Sequence, residues 1–253
     1  MALIKGKAGC SRISVIRAIR GKNHSSVDSR MNKKHTKSAV VLLSGGVDST
    51  TILHYVRKRL GASKVYAVSF LYGQKHSREV AMAKWQARAA KVLEHRIVDL
   101  SAFGGLIAGG SALTDRSISV PDLKDLKADQ KRQPPTYVPN RNMILLSLAA
   151  AYAEAKGVRD IFYGAQAQDE YGYWDCTVDF VKKINDVLHL NRRKAVTVHA
   201  PFAGMRKSSV VKIGLELGVD YLHTWSCYRG RKEACGTCPS CVERKKAFKE
   251  ITW

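Results

Sequence analysis

An uncharged apolar run, Val40 to Leu43, passes directly into Ser44-Gly45-Gly46-Val47-Asp48-Ser49-Thr50 and then into Thr51-Ile52-Leu53. A short continuous apolar run bounded by glycines reads as a parallel strand buried on both faces. The glycines allow a sharp turn and a close backbone approach to a ligand. The residues after them restart as a helix, whose first turn presents free N–H groups and the positive end of the helix dipole to an anion. Ser44, Ser49 and Thr50 add hydroxyls. The stretch lacks the GxxxxGK[ST] spacing of a Walker A loop, and no lysine follows the glycines.

Further strands follow at Lys64–Leu71, at residues 95–100, at residues 159–165 and at residues 195–202, separated by helical patterns over 47–60, 76–93, 137–157, 177–188 and 205–217. Alternating strands and helices with apolar, non-alternating strands predict an α/β fold, a doubly wound, five-stranded parallel sheet of Rossmann-like type. The ligand then belongs beyond the carboxyl ends of the strands. In the helix after Pro139-Asn140, Ile144, Leu145, Leu148, Ala149 and Tyr152 form the expected buried stripe. Its first turn carries Arg141 and Asn142. A cation there sits at the unfavourable end of the dipole, which calls for an anionic partner, Asp175 or a ligand. Lys207, in the first turn of the last of these helices, raises the same expectation. Residues 101–139 have no sustained period and are expected to form a lid over the ligand. The loop after the fourth strand, Gln166 to Cys176, brings Asp169, Tyr171, Tyr173, Trp174 and Asp175 to the ligand edge, where aromatic faces and carboxylates suit a flat heterocycle with N–H donors. Simple packing of Tyr173 and Trp174 on the next helix is the competing reading.

Cys227, Cys235, Cys238 and Cys241 supply four thiolates at the spacing of a closed tetrahedral Zn²⁺ site. With all positions filled by sulfur the ion would be structural, stabilising a C-terminal subdomain, residues 223–253, too small for its own core. An iron–sulfur cluster is the rival. No run is long and apolar enough for a membrane helix. The net charge of +22 would admit nucleic acid. Residues 1–37 hold ten Lys or Arg against one acid, and the other 216 residues carry 33 basic against 20 acidic groups, so the body is basic in its own right. ATP and an anionic substrate would use that charge equally well. The extension 1–37 reads as a flexible basic arm, as sequence upstream of a true start at Met31, or as a targeting segment. Residues 38–222 form the α/β domain.

Taken together, SGGVDS, FLYGQKH (Phe70 to His76), YVPNRN, the DEYGYWDC loop, Lys207 and TWSCY…CGTCPSC closely resemble the 7-cyano-7-deazaguanine synthase (QueC) family, over about residues 39–248. SGGxDS itself is similar to the pyrophosphate loop of ATP pyrophosphatases. The resemblance implies the adenine nucleotide alpha-hydrolase-like fold and ATP-dependent conversion of 7-carboxy-7-deazaguanine and ammonia to the nitrile. It implies ATP phosphates and Mg²⁺ at Leu43, Ser44, Gly45, Gly46, Val47, Asp48, Ser49, Thr50, Thr51, Ile52 and Leu53. Catalytic roles fall on Ser44, Asp48, Arg141 and Lys207, and substrate contacts on Tyr72, Gln74, Arg141, Asn142, Asp169, Tyr173 and Asp175. A homodimer and a cytoplasmic location also follow from it. The sequence departs from the family pattern at Tyr171, Trp174 and Thr177, where a serine, a proline and an arginine are usual. Two alternatives stand beside the main reading: a variant that stops at the 7-amide, and a tRNA-modifying ATP pyrophosphatase.

Overall fold

The computed structural model describes residues 36–75, 78–127, 129–130, 133–166 and 173–251. The first 35 residues, and with them nearly all of the basic extension, lie outside these. Among the described residues no helix is long and apolar enough to cross a membrane.

Five strands, β1 (Ser38–Leu42), β2 (Lys64–Leu71), β3 (Glu94–Asp99), β4 (Asp160–Phe162) and β5 (Thr197–His199), form one fully parallel sheet in the order β3-β2-β1-β4-β5. The first strand is central because it is the most uniformly apolar. Ala39, Val40 and Val41 are fully buried, and successive side chains enter opposite layers. Val40 joins Val68, Ile161 and Val198 beneath two helices, α4 (Arg141–Lys156) and α5 (Val178–Leu188). Ala39 and Val41 join Val65, Ala67 and Phe162 on the other face, against α1 (Val47–His54), α2 (Arg78–Ala89) and α6 (Lys207–Glu216). Burying each such valine stabilises the fold by about 1.5–3 kcal/mol. The chain leaves β1 toward β2 on one side and returns through β4 on the other, so the switch point lies at the carboxyl ends of β1 and β4.

Two expectations change. The buried stripe of α4 is Leu145, Leu146, Ala149, Ala150 and Ala153, and Leu148 is exposed. The alanines let the helix approach the sheet closely, which rotates Ile144 and Tyr152 to its flank, where Tyr152 meets Tyr66 edge-on at 6.3 Å. Among the described residues of 101–139 are a short helix, α3 (Ser101–Leu106), and a 3₁₀ turn at Leu123–Asp125. Ser111, Ala112, Leu113 and Val120 of this segment are buried. Its backbone is tied to Lys75 (N to Leu113 O, 3.0 Å) and to Thr237 (Leu123 N to Thr237 O, 3.1 Å). The sequence shows no period there because the segment packs through isolated residues rather than through a regular face.

Candidate active site

Gly45 adopts φ +86°, and a Cβ on it would fall 2.2 Å from the Glu79 carbonyl oxygen. Gly164, just past β4, leaves no room either: a Cβ would lie 2.9 Å from Asp48 C and Ser49 N. Both absences of a side chain let α2, the β4 end and the first turn of α1 close around one loop. Within it the Ser44 and Ser49 hydroxyls lie 2.9 Å apart, Gly46 N donates to Ser44 Oγ (3.2 Å) and Ser44 N donates to Ser49 Oγ (3.2 Å). Leu43, Ser44, Gly46, Val47, Asp48 and Ser49 line an open cavity. Behind them Thr50, Thr51, Ile52 and Leu53 are fully buried. Thr51 shares a 2.6 Å hydrogen bond with the Tyr221 hydroxyl, so it anchors the loop rather than facing the cavity. Gly45 turns its carbonyl outward, where Trp225 N donates to it at 2.9 Å.

Lys207 lines the same cavity and is only 7% exposed. Its Nζ lies 3.4 Å from Asp48 Oδ2 and 3.3 Å from Glu243 Oε2, which supplies the anionic partners that its place at a helix start requires. The other Asp48 oxygen, Oδ1, is buried with no hydrogen-bond partner among the described residues. An anionic oxygen left in that state fits a cation.

On the opposite wall Arg141, Asn142, Tyr72, Gln74 and Tyr173 line the cavity. The Arg141 guanidinium lies 5.9 Å from the Tyr72 ring centroid and donates through Nε to Asn142 Oδ1 at 3.2 Å. Gln74 closes the turn after β2, accepting from Tyr72 N (2.7 Å) and donating to Phe70 O (3.1 Å). Tyr173 bonds Thr136 Oγ1 through its hydroxyl at 2.8 Å. Asp175 is placed differently. It does not line the cavity; its carboxylate is buried and accepts Asn142 N at 3.0 Å, capping the start of α4 beside Arg141. Burial pushes its carboxyl up, against the pull of Arg141 and of the backbone N–H. Asp169 and Tyr171 lie outside the described residues.

Trp174 and Thr177, which depart from the family pattern, also stay out of the cavity. Trp174 is half exposed, donates to Tyr137 Oη at 2.8 Å and packs edge-on against Phe180. Thr177 caps α5, accepting from Phe180 N at 3.1 Å. The packing reading holds for Trp174. Tyr173 lines the cavity and stacks on Tyr137, which lies outside the next helix.

Sequence reasoning missed several lining residues: Glu79, Cys176, Ser69, Trp225, Ser226 and Tyr228. Glu79 belongs to the first turn of α2. Burial pushes its carboxyl up to about 8, and Arg141 pulls the other way. The sequence carries no signal for it, because an acid in the first turn of a helix is an ordinary solvated start. Cys176 is buried and accepts from Asn142 Nδ2 at 3.1 Å.

The four sulfurs of Cys227, Cys235, Cys238 and Cys241 lie within 4.8 Å of one another, a cluster able to hold a metal ion. Cys238 N and Cys235 N each point at a ligand sulfur, Cys235 Sγ and Cys227 Sγ, at 3.4 Å. Helix α7 (Pro239–Lys249) starts inside the cluster. Its Arg244 holds Thr224 Oγ1 (2.8 Å), Tyr221 O (2.8 Å) and Ser226 Oγ (3.3 Å), and Glu243 reaches Lys207. Arg229, between the first two cysteines, pairs with Asp122 and donates to Val120 O at 3.0 Å. The cluster stands behind the part of the cavity wall formed by Trp225, Ser226, Tyr228 and Ser240, and none of its cysteines lines the cavity.

Residues 38–252 match the family model described as "Queuosine biosynthesis protein QueC". The 7-cyano-7-deazaguanine synthase of Caldicellulosiruptor saccharolyticus is 46% identical over 213 residues, 84% of this chain and 91% of that protein. That of Archaeoglobus fulgidus is 46% identical over 211 residues, 83% of this chain and 85% of that protein. Among solved structures, NMN synthetase from Francisella tularensis is 16% identical with a TM-score of 0.45, over 83% of this chain and 74% of that one. With a pyrophosphate-type loop and Arg141 on one cavity, a four-cysteine cluster in the segment behind it, and relatives aligned over most of their length, the chain belongs to the QueC family.

Proposed function

We propose that this protein is an ATP-dependent 7-cyano-7-deazaguanine synthase, acting on 7-carboxy-7-deazaguanine and ammonia. The observation that carries the reading is the shared cavity: the Ser44–Ser49 loop with Lys207 on one wall faces Arg141 and aromatic residues on the other. A carboxylate is a poor electrophile, and adenylation turns one of its oxygens into part of a good leaving group. Gly46 N–H and the Ser44 and Ser49 hydroxyls receive the phosphates. Arg141, permanently charged, holds the carboxylate in line with the α-phosphate. Lys207 stabilises the charge that builds on the phosphate as pyrophosphate leaves. Ammonia then attacks the acyl carbon, AMP departs and the amide forms. The amide oxygen is adenylated in turn, with loss of pyrophosphate and of one N–H proton. Loss of the remaining N–H proton and departure of AMP, which carries that oxygen away, leaves the nitrile.

Asp48 Oδ1 would hold Mg²⁺, which when bound offsets phosphate charge. The four cysteines would hold Zn²⁺: a Zn–S bond of about 2.3 Å gives sulfur–sulfur edges of about 3.8 Å, and Cys235 and Cys241 stand at 4.0 Å. The nitrile endpoint is favoured over the amide because Trp174 and Thr177, two of the three departures from the family pattern, lie outside the cavity. A cytoplasmic homodimer that needs no nucleic acid completes the reading. Labelling the substrate carboxylate with ¹⁸O tests it: the label is expected in the phosphate of AMP. AMP free of label, formed alongside product, would rule out adenylation of the substrate.

A further inference from the structure

Among the described residues two carboxylates line the cavity, Asp48 and Glu79. Asp48 belongs to the phosphate side, where it faces Lys207. Asp175, chemically suited to a heterocycle, is spent on the N-terminus of α4. A deazaguanine ring presents N1–H and the 2-amino group side by side, a donor pair that matches the two oxygens of one carboxylate.

Resting on the function proposed above, we propose that Glu79 reads the N1–H and 2-amino edge of the deazaguanine and so determines specificity for it.

The position of Glu79 is fixed by the loop it flanks. Its carbonyl oxygen occupies the space that a Cβ on Gly45 would take, so the first turn of α2 cannot shift without moving the phosphate loop. The carboxyl interacts electrostatically with Arg141 of α4 and with Tyr72 just past β2, and Phe70, Leu113 and Tyr228 line the same cavity. Arg141 is thereby shared between the two ends of one ligand: it neighbours the carboxylate that would read the ring, and it offers its remaining donors to the group being activated. The donor pair binds the ionised form of Glu79. Since burial sets that carboxyl at about 8, substrate affinity is expected to rise as pH increases through that value.

The test compares wild type and Glu79→Gln on 7-carboxy-7-deazaguanine and on its analogue lacking the 2-amino group. Gln keeps the size but turns an amide N–H₂ toward a donor. KM for the natural substrate is expected to rise roughly 10- to 100-fold, with kcat and the KM for ATP little changed. The preference of wild type for the 2-amino substrate should disappear. Glu79→Ala serves if the glutamine variant does not fold, with the same loss of preference expected. In wild type, KM for the substrate should fall between pH 7 and 9, independently of any variant. Unchanged KM and preference in the variants, a loss confined to kcat, or a flat pH dependence would each overturn the assignment. Absence of nitrile formation by wild type would instead overturn the proposed function.

Discussion

The two walls of the cavity are held by different means. The Ser44–Ser49 loop is closed by its own short-range hydrogen bonds and by glycines at positions where a Cβ would collide with backbone. The opposite wall has no such local closure. Arg141, Tyr173 and Tyr228 come from three segments, brought together by a capped helix, a packed loop and the segment that carries the cysteine cluster. The first wall adds the Ser44 and Ser49 hydroxyls, Asp48 and Lys207 to its backbone turns. The second is an assembly of side chains from distant segments, Tyr228 among them from the segment that carries the cysteine cluster.

The contrast can be broken first at the loop. Lys207→Ala removes the cation between Asp48 and Glu243, and kcat is expected to fall about 100- to 1,000-fold. The two carboxylates left facing each other should also lower stability by about 2–3 kcal/mol, less than for a fully buried pair because Glu243 is one-third exposed. Steady-state kinetics and denaturant melts check both. Cys238→Ala, or chelation, attacks the segment behind both walls: bound metal is lost and the melting temperature drops. KM for the deazapurine and for ATP are expected to rise together, since Trp225 holds Gly45 and Glu243 holds Lys207. Metal content and thermal melts measured alongside both KM values check this, and a rise confined to the deazapurine would show that the walls are separable. A smaller effect is expected from Arg229→Ala, which unties the segment around Asp122 from the cluster. It should cost about 1 kcal/mol, with a modest rise in KM for the deazapurine. The smallest kinetic effect belongs to Thr177→Ala. Losing the α5 cap lowers stability by about 1 kcal/mol and leaves kcat unchanged, since Thr177 is outside the cavity.

The same contrast explains what could be read from the chain. The strand–glycine–helix loop and the CxxC spacing are local patterns, so Ser44, Asp48 and the four cysteines stand out in the sequence. All five strands are legible in the sequence, four of them from apolar runs; β3 lies one residue earlier than read, and β4 and β5 are shorter than those runs. Lys207 and Arg141 were flagged by sitting at the wrong end of a helix dipole, and Lys207 does face two carboxylates. Glu79 and Tyr228 were not legible. An acid in the first turn of REVAMAKW looks like an ordinary solvated helix start, and only the three-dimensional crossover carries it to the cavity. Asp175 reads both as a base contact and as the anionic partner of Arg141, and the structure places its carboxylate beside Arg141, where it accepts the N–H of Asn142. The stripe of α4 was misplaced because large residues were preferred over the alanines that set helix–sheet distance.

The most direct test of one cavity joining ATP chemistry to a deazapurine carboxylate is the mass of the product formed from 7-carboxy-7-deazaguanine, ammonia and excess ATP, with and without tRNA. The account predicts a product lighter than the amide by one water, with AMP and pyrophosphate released, at the same rate in both conditions. A product that stays at the amide, or AMP formation that requires tRNA, would contradict it.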